Sequence, residues 1–123
     1  MVEPLQSEAG IFLVAPEGYL KSAQDLCHKY DFLFVLDEVQ TGMYRTGRFL
    51  ASQHYAGVNA DMIVLAKALS GGLIPVSAVL MTDQIYESVF TSFKRSIVHA
   101  STFSENGMSM RAGLATLAVL EEE

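Results

Sequence analysis

The chain has 123 residues, of which 50% are hydrophobic and only 18% charged, and its net charge is −6. That balance excludes intrinsic disorder, which needs low hydrophobicity and high charge, and binding to a phosphate backbone, which needs a basic stripe. So few charges suit part of a larger interior better than a free-standing small domain, which buries only about two-thirds of its unfolded surface.

In chain order, residues 11–15 are a short apolar run closed by Pro16, which also marks a helix start with Glu17 in its first turn. Tyr19, Leu20, Ala23, Leu26, Cys27 and Tyr30 then recur at helical spacing and predict one apolar face. The continuous run F-L-F-V-L at 32–36 suits a strand buried on both sides of a parallel sheet. Gly42 and Gly47 punctuate the next loop, and a short helix is predicted over 49–55. Residues 62–66 predict a second buried strand that ends at Lys67, after which Gly71, Gly72 and Pro75 break the chain. Residues 76–81 read as a third strand, and Asp83 is positioned to cap a helix through Phe90. Residues 97–102 read as short and extended. Ser104 or Asn106 opens a last helix to Glu123 that is apolar on most faces and so needs cover. Strand and helix in alternation predict an α/β fold, a mostly parallel sheet with flanking helices. Ligands in such sheets bind beyond the carboxyl ends of the strands.

Cys27 is the only cysteine, and His28, His54 and His99 lack ligand spacing, so no metal site is expected. A reducing compartment follows, read here as cytoplasmic. No apolar run approaches the roughly 18 residues of a membrane span, and the opening residues do not read as a signal peptide. Neither nucleic acid nor membrane is an expected partner.

The chemistry-bearing residues lie at the strand ends. A lysine leaving an apolar strand into a semi-buried site loses hydration, and a neutral amine can attack a carbonyl to form a Schiff base. Lys67 alone reads more readily as the start of a helix that reaches for water. Asp37 could hold a metal, polarise a histidine or pair with a ring nitrogen, or it could be an ordinary loop carboxylate. Glu38 reads as a structural partner or a solvated residue. Val39 could pack on a ring face and Gln40 could reach over a ring oxygen. The run 32–38 also fits a Walker B strand ending in Asp-Glu, although the chain has no G-x-x-x-x-G-K-[ST] phosphate loop. A P-loop ATPase fragment and a non-catalytic α/β interaction module are therefore the alternatives.

Taken jointly, the segments are more specific. D-E-V-Q-T-G at 37–42 precedes L-A-K-A-L-S-G-G at 65–72 by about one βαβ unit. V-E-P-L-Q-S-E-A-G at 2–10 lies before them and S-T-F-S-E-N-G at 101–107 after. Together they closely resemble the class III aminotransferases (ornithine, acetylornithine and omega), which use pyridoxal 5'-phosphate. The resemblance implies that Lys67 carries the cofactor as a Schiff base and shuttles a proton. It implies that Asp37 pairs with the pyridine nitrogen and keeps it protonated, so that the ring acts as an electron sink. It places Val39 on the ring face, Gln40 near the phenolic oxygen, Thr102 at the cofactor phosphate of the neighbouring subunit and Glu8 near the substrate pocket. It further implies a fold-type I large domain, truncated at both ends, with residues 1–123 forming one partial domain. The implied reaction moves an amino group from an amine or omega-amino acid donor to a keto acid, in a full-length homodimer, with the isolated segment inactive. Ser7 departs from the family pattern, which has glycine there. Ser104 and Glu105 stand where Gly-Gly is commoner, and Gly107 stands where proline is frequent.

Overall fold

A computed structural model describes residues 1–8 and 12–122. The start of the apolar run at Ile11, Ala9 and Gly10 of the first motif, and Glu123 lie outside the described residues.

The elements are β1 (Leu5–Gln6), β2 (Leu13–Val14), α1 (Tyr19–Lys29), β3 (Val35–Asp37), β4 (Met62–Leu65), β5 (Ala78–Met81), α2 (Asp83–Val89) and α3 (Gly107–Glu122). Short 3₁₀ turns occupy Ala51–His54, Lys67–Ser70 and Phe93–Arg95. The α/β class expected from the alternation is present. β3 pairs parallel with β4, and Val2 bridges parallel to Leu36 on the other side of β3. β5 pairs with β4 antiparallel, so the sheet is mixed. Apolar patterning carries no strand direction, which is why the antiparallel edge was not anticipated.

The core has two centres. Leu20 of α1 packs with Phe34 and Leu36, and Ala23, Cys27, Tyr55 and Ile63 close around them. Met43, Leu65 and Leu69 form the second, against Phe49, Ile63, Leu117 and Leu120. Leu36 and Ile63 are register partners, and Leu65 lies two residues on, so one sheet face supplies both centres. Burial on both sides, expected for residues 32–36, is not reached. Phe32 and Leu33 are exposed and Val35 is half-buried.

Local chemistry sets the helix boundaries. α1 begins at Tyr19 because Gly18 turns left-handed (φ 79°), which leaves Glu17 outside the first turn. Of its expected apolar face, Leu20 is fully buried, while Tyr19, Leu26 and Tyr30 are exposed. Asp83 is the first residue of α2 and not its cap, which is Thr82. Asn106 opens α3: its Oδ1 accepts hydrogen bonds from the Met108 and Ser109 amides, both at 3.1 Å. That carbonyl satisfies two of the amides a helix start leaves unpaired. Ser109 and Gly113 are the buried residues of α3, and they face the Lys67–Ser70 turn and its flank. Met108, Leu114 and Val119 are exposed. Residues 97–102 form no strand among the described residues; 97–99 and 102 are turns and bends. Local bonds flank them, Ser96 N to Phe93 O (3.3 Å) and Ser104 N to Ser101 O (3.0 Å).

Gly42 shows how tightly the loop after β3 is folded under β4. A Cβ there would stand 2.8 Å from Leu65 Cδ2 and 2.9 Å from the Glu38 carbonyl oxygen. Gly42→Ala in the full-length protein is therefore expected to cost roughly 1–3 kcal/mol of stability through overpacking. The denaturant midpoint reads this directly; an unchanged midpoint would mean that the loop gives way freely.

Candidate active site at the carboxyl ends of β3 and β4

The parallel register explains why the two motifs meet. Asp37 is opposite Val64. Each chain then runs three residues further, to Gln40 and to Lys67, and these side chains touch: Lys67 Nζ donates to Gln40 Oε1 at 2.8 Å. Glu8, from the loop after β1, brings Oε1 to 3.5 Å from the same amine. Ser7 accepts a hydrogen bond from Gln40 Nε2. An amine, an amide and a carboxylate from three separate segments thus converge beyond the strand ends, where open α/β sheets bind ligands.

The backbone at Lys67 is unusual. It has φ 47°, in the left-handed region that costs a non-glycine residue of order 1 kcal/mol or more. Ala66 before it is still extended (φ −162°), and a 3₁₀ turn over Lys67–Ser70 follows directly. Gly71 and Gly72, at φ 67° and 78°, complete the turn in conformations that glycine adopts without strain. The Lys67 side chain is 53% exposed, so the described residues do not supply the desolvation expected of it.

Asp37 is half-buried, and its Oδ1 accepts the Val39 amide at 3.1 Å. That bond fixes the carboxylate direction and leaves Oδ2 for a partner. Val39 is itself half-buried beside it. Glu38 behaves oppositely. It is 1% exposed and accepts from Thr41 Oγ1, from the Ala51 amide at 3.0 Å and from the Ser52 amide at 2.8 Å. A carboxylate so occupied cannot activate a water for ATP hydrolysis. The Walker B alternative loses its base, and Asp-Glu becomes one residue facing the site and one clasping the loop.

Thr102 is exposed and does not join the cluster. Its neighbours do approach: Ser101, Phe103, Ser104 and Glu105 line an open cleft of about 890 Å³ with Lys67, Gly72 and Ser109. The departures at 104 and 105 therefore face the same cleft as the lysine. Sequence reasoning noted Ser7 only as a departure from pattern; its bond to Gln40 crosses 33 residues of chain and has no local signal. Among the described residues no group of His, Cys, Asp and Glu could hold a metal ion.

The family model for class-III aminotransferases matches residues 1–123. The chain belongs to the class III aminotransferase family. It is 47% identical over its whole length to the mitochondrial ornithine aminotransferases of Drosophila melanogaster and Rattus norvegicus, covering 27% and 26% of them. The ornithine aminotransferase of Plasmodium yoelii superposes with a TM-score of 0.86 at 43% identity, over 98% of this chain and 30% of that one. An (S)-enantioselective omega-transaminase from Thermomicrobium roseum superposes with a TM-score of 0.88 at 34% identity, over 98% of this chain and 26% of that one. The chain thus spans about a quarter to a third of the length of these relatives.

The cofactor of this class III family is pyridoxal phosphate, and the Toxoplasma gondii ornithine aminotransferase is described with partial PLP occupancy at its active site. The residues present suit that group: a half-exposed amine at a left-handed residue, and a carboxylate with one oxygen held and, among the described residues, no hydrogen bond to the other. The cytoplasmic expectation is corrected, because the ornithine aminotransferases of fly, worm and rat are mitochondrial by name. A single cysteine argues only for a reducing compartment and does not separate cytosol from mitochondrial matrix.

Proposed function

We propose that the full protein is a transaminase that moves an amino group from an amine or omega-amino acid donor to a keto acid. The relatives' names make a diamino acid such as ornithine the first donor to test, and the mitochondrion the compartment in which to look for the protein. The observation that carries the reading is the convergence of Lys67 and Gln40 from adjacent parallel strand ends, beside Asp37.

When bound, pyridoxal phosphate supplies an aldehyde that condenses with amines and a protonated ring that stabilises a carbanion. The chain's own residues then have distinct tasks. Lys67 Nζ would be the attachment point and, when free, would carry a proton to and from the substrate carbon. Asp37, through the oxygen that Val39 does not hold, would keep a proton on the ring nitrogen, since a nearby carboxylate favours the cation. Val39 would pack on a ring face, and Gln40 would lie near the phenolic oxygen. Glu8 would stand at the substrate side of Lys67. Thr102, exposed and away from this cluster, would reach the cofactor phosphate of a neighbouring subunit in a homodimer.

Borohydride reduction of the full-length, cofactor-loaded protein, followed by peptide mapping, tests the assignment. The tag is expected on Lys67. A tag on another lysine, or on none, overturns it.

A further inference from the structure

We infer that Ser7 is a positioning residue that sets the direction of the Gln40 amide and thereby holds the Lys67 amine in place. The inference deepens the aminotransferase reading and rests on it for its functional meaning.

The argument is one of donors and acceptors. A lysine ammonium has three donors and no acceptor. Gln40 must therefore present its carbonyl oxygen to Lys67, as it does at 2.8 Å. Its NH₂ is then turned the other way and needs an acceptor, because Gln40 is part-buried and an unpaired buried donor is costly. Ser7 Oγ is that acceptor. With glycine at position 7, as the family pattern has, no side-chain acceptor would stand there, and the amide would be free to reverse. A reversed amide would aim NH₂ at the ammonium, donor against donor. Ser7 also neighbours Glu8, whose carboxylate is 3.5 Å from the same amine. One hydroxyl thus ties the loop after β1, which also carries Glu8, to the end of β3. The expected consequence is a Lys67 amine that is less free to react than an untethered surface lysine.

The test uses the full-length apo-protein and a short pulse of acetic anhydride at fixed pH. Acetylation of Lys67 is quantified by peptide mapping against Lys21 and Lys94 as internal standards. Ser7→Ala is expected to speed Lys67 labelling roughly three- to tenfold, the range of one lost hydrogen bond. Ser7→Thr, which keeps the hydroxyl, should label like the parent. Gln40→Ala should label fast, and the double variant Ser7→Ala with Gln40→Ala should be no faster than Gln40→Ala alone, since both act through one amide. An unchanged rate in Ser7→Ala overturns the inference, as do fully additive effects, which would mean that Ser7 acts through general loosening of the loop. The labelling uses no cofactor, so its failure leaves the borohydride result untouched. A borohydride tag away from Lys67, with the labelling pattern intact, would instead sink the transaminase reading and keep the Ser7–Gln40–Lys67 linkage.

Discussion

Lys67→Ala in the full-length protein is expected to lower amino-transfer turnover by roughly 10³–10⁴-fold, the scale of losing a positioned proton-transfer group that is also the attachment point. The fold should survive. The side chain is half-exposed and packs into neither core centre, and alanine bears the left-handed backbone at φ 47° about as lysine does. Stability should therefore stay within about 0.5 kcal/mol. Lys67→Arg sharpens the test. A guanidinium keeps the positive charge beside Glu8 and Gln40 but does not deprotonate in a protein, so it should be as inactive as alanine. A donor half-reaction followed by absorbance reads all three proteins. Turnover within about tenfold of the parent in either variant would remove Lys67 from the chemistry.

The second large effect falls on stability. Glu38→Ala should cost roughly 2–5 kcal/mol, because it strands the buried Ala51 and Ser52 amides and the Thr41 hydroxyl together. Glu38→Gln should cost less, since one acceptor oxygen remains, but its NH₂ would face a backbone N–H. Chemical denaturation of the full-length protein measures both. The damage should reach the cofactor as well, because the same clasp holds the loop that carries Val39 and Gln40. A loss below about 1 kcal/mol in Glu38→Ala would show that the loop finds other partners.

The parts of this molecule that were legible in the sequence are those decided by neighbours in the chain. The strand ends at Asp37 and before Lys67, the breaks at Gly47, Gly71 and Gly72 and the choice of Asn106 as one of two helix starts are local, although β3 begins only at Val35. The family motifs also brought Lys67, Asp37 and Gln40 forward, and the parallel register explains the contact of Lys67 with Gln40. What stayed hidden depends on partners far along the chain. The environment of Glu38 is made by residues 51 and 52, and that of Gln40 by residue 7. The direction of β5 is invisible to a pattern that records only burial. Residues 97–102 have strand-like side chains but lie between local turn bonds instead of pairing with a strand. The apolar faces of α1 and α3 were overcounted, since only the stripe meeting another element is buried.

The left-handed residue just past the end of β4 has a consequence for protein engineering. A redesign protocol that scored each position by conformational preference alone would select glycine or asparagine at 67, and would so remove the amine to which we propose the cofactor attaches. The left-handed torsion at 67 falls on a lysine and not on a glycine, and libraries aimed at thermotolerance should freeze this position before any other.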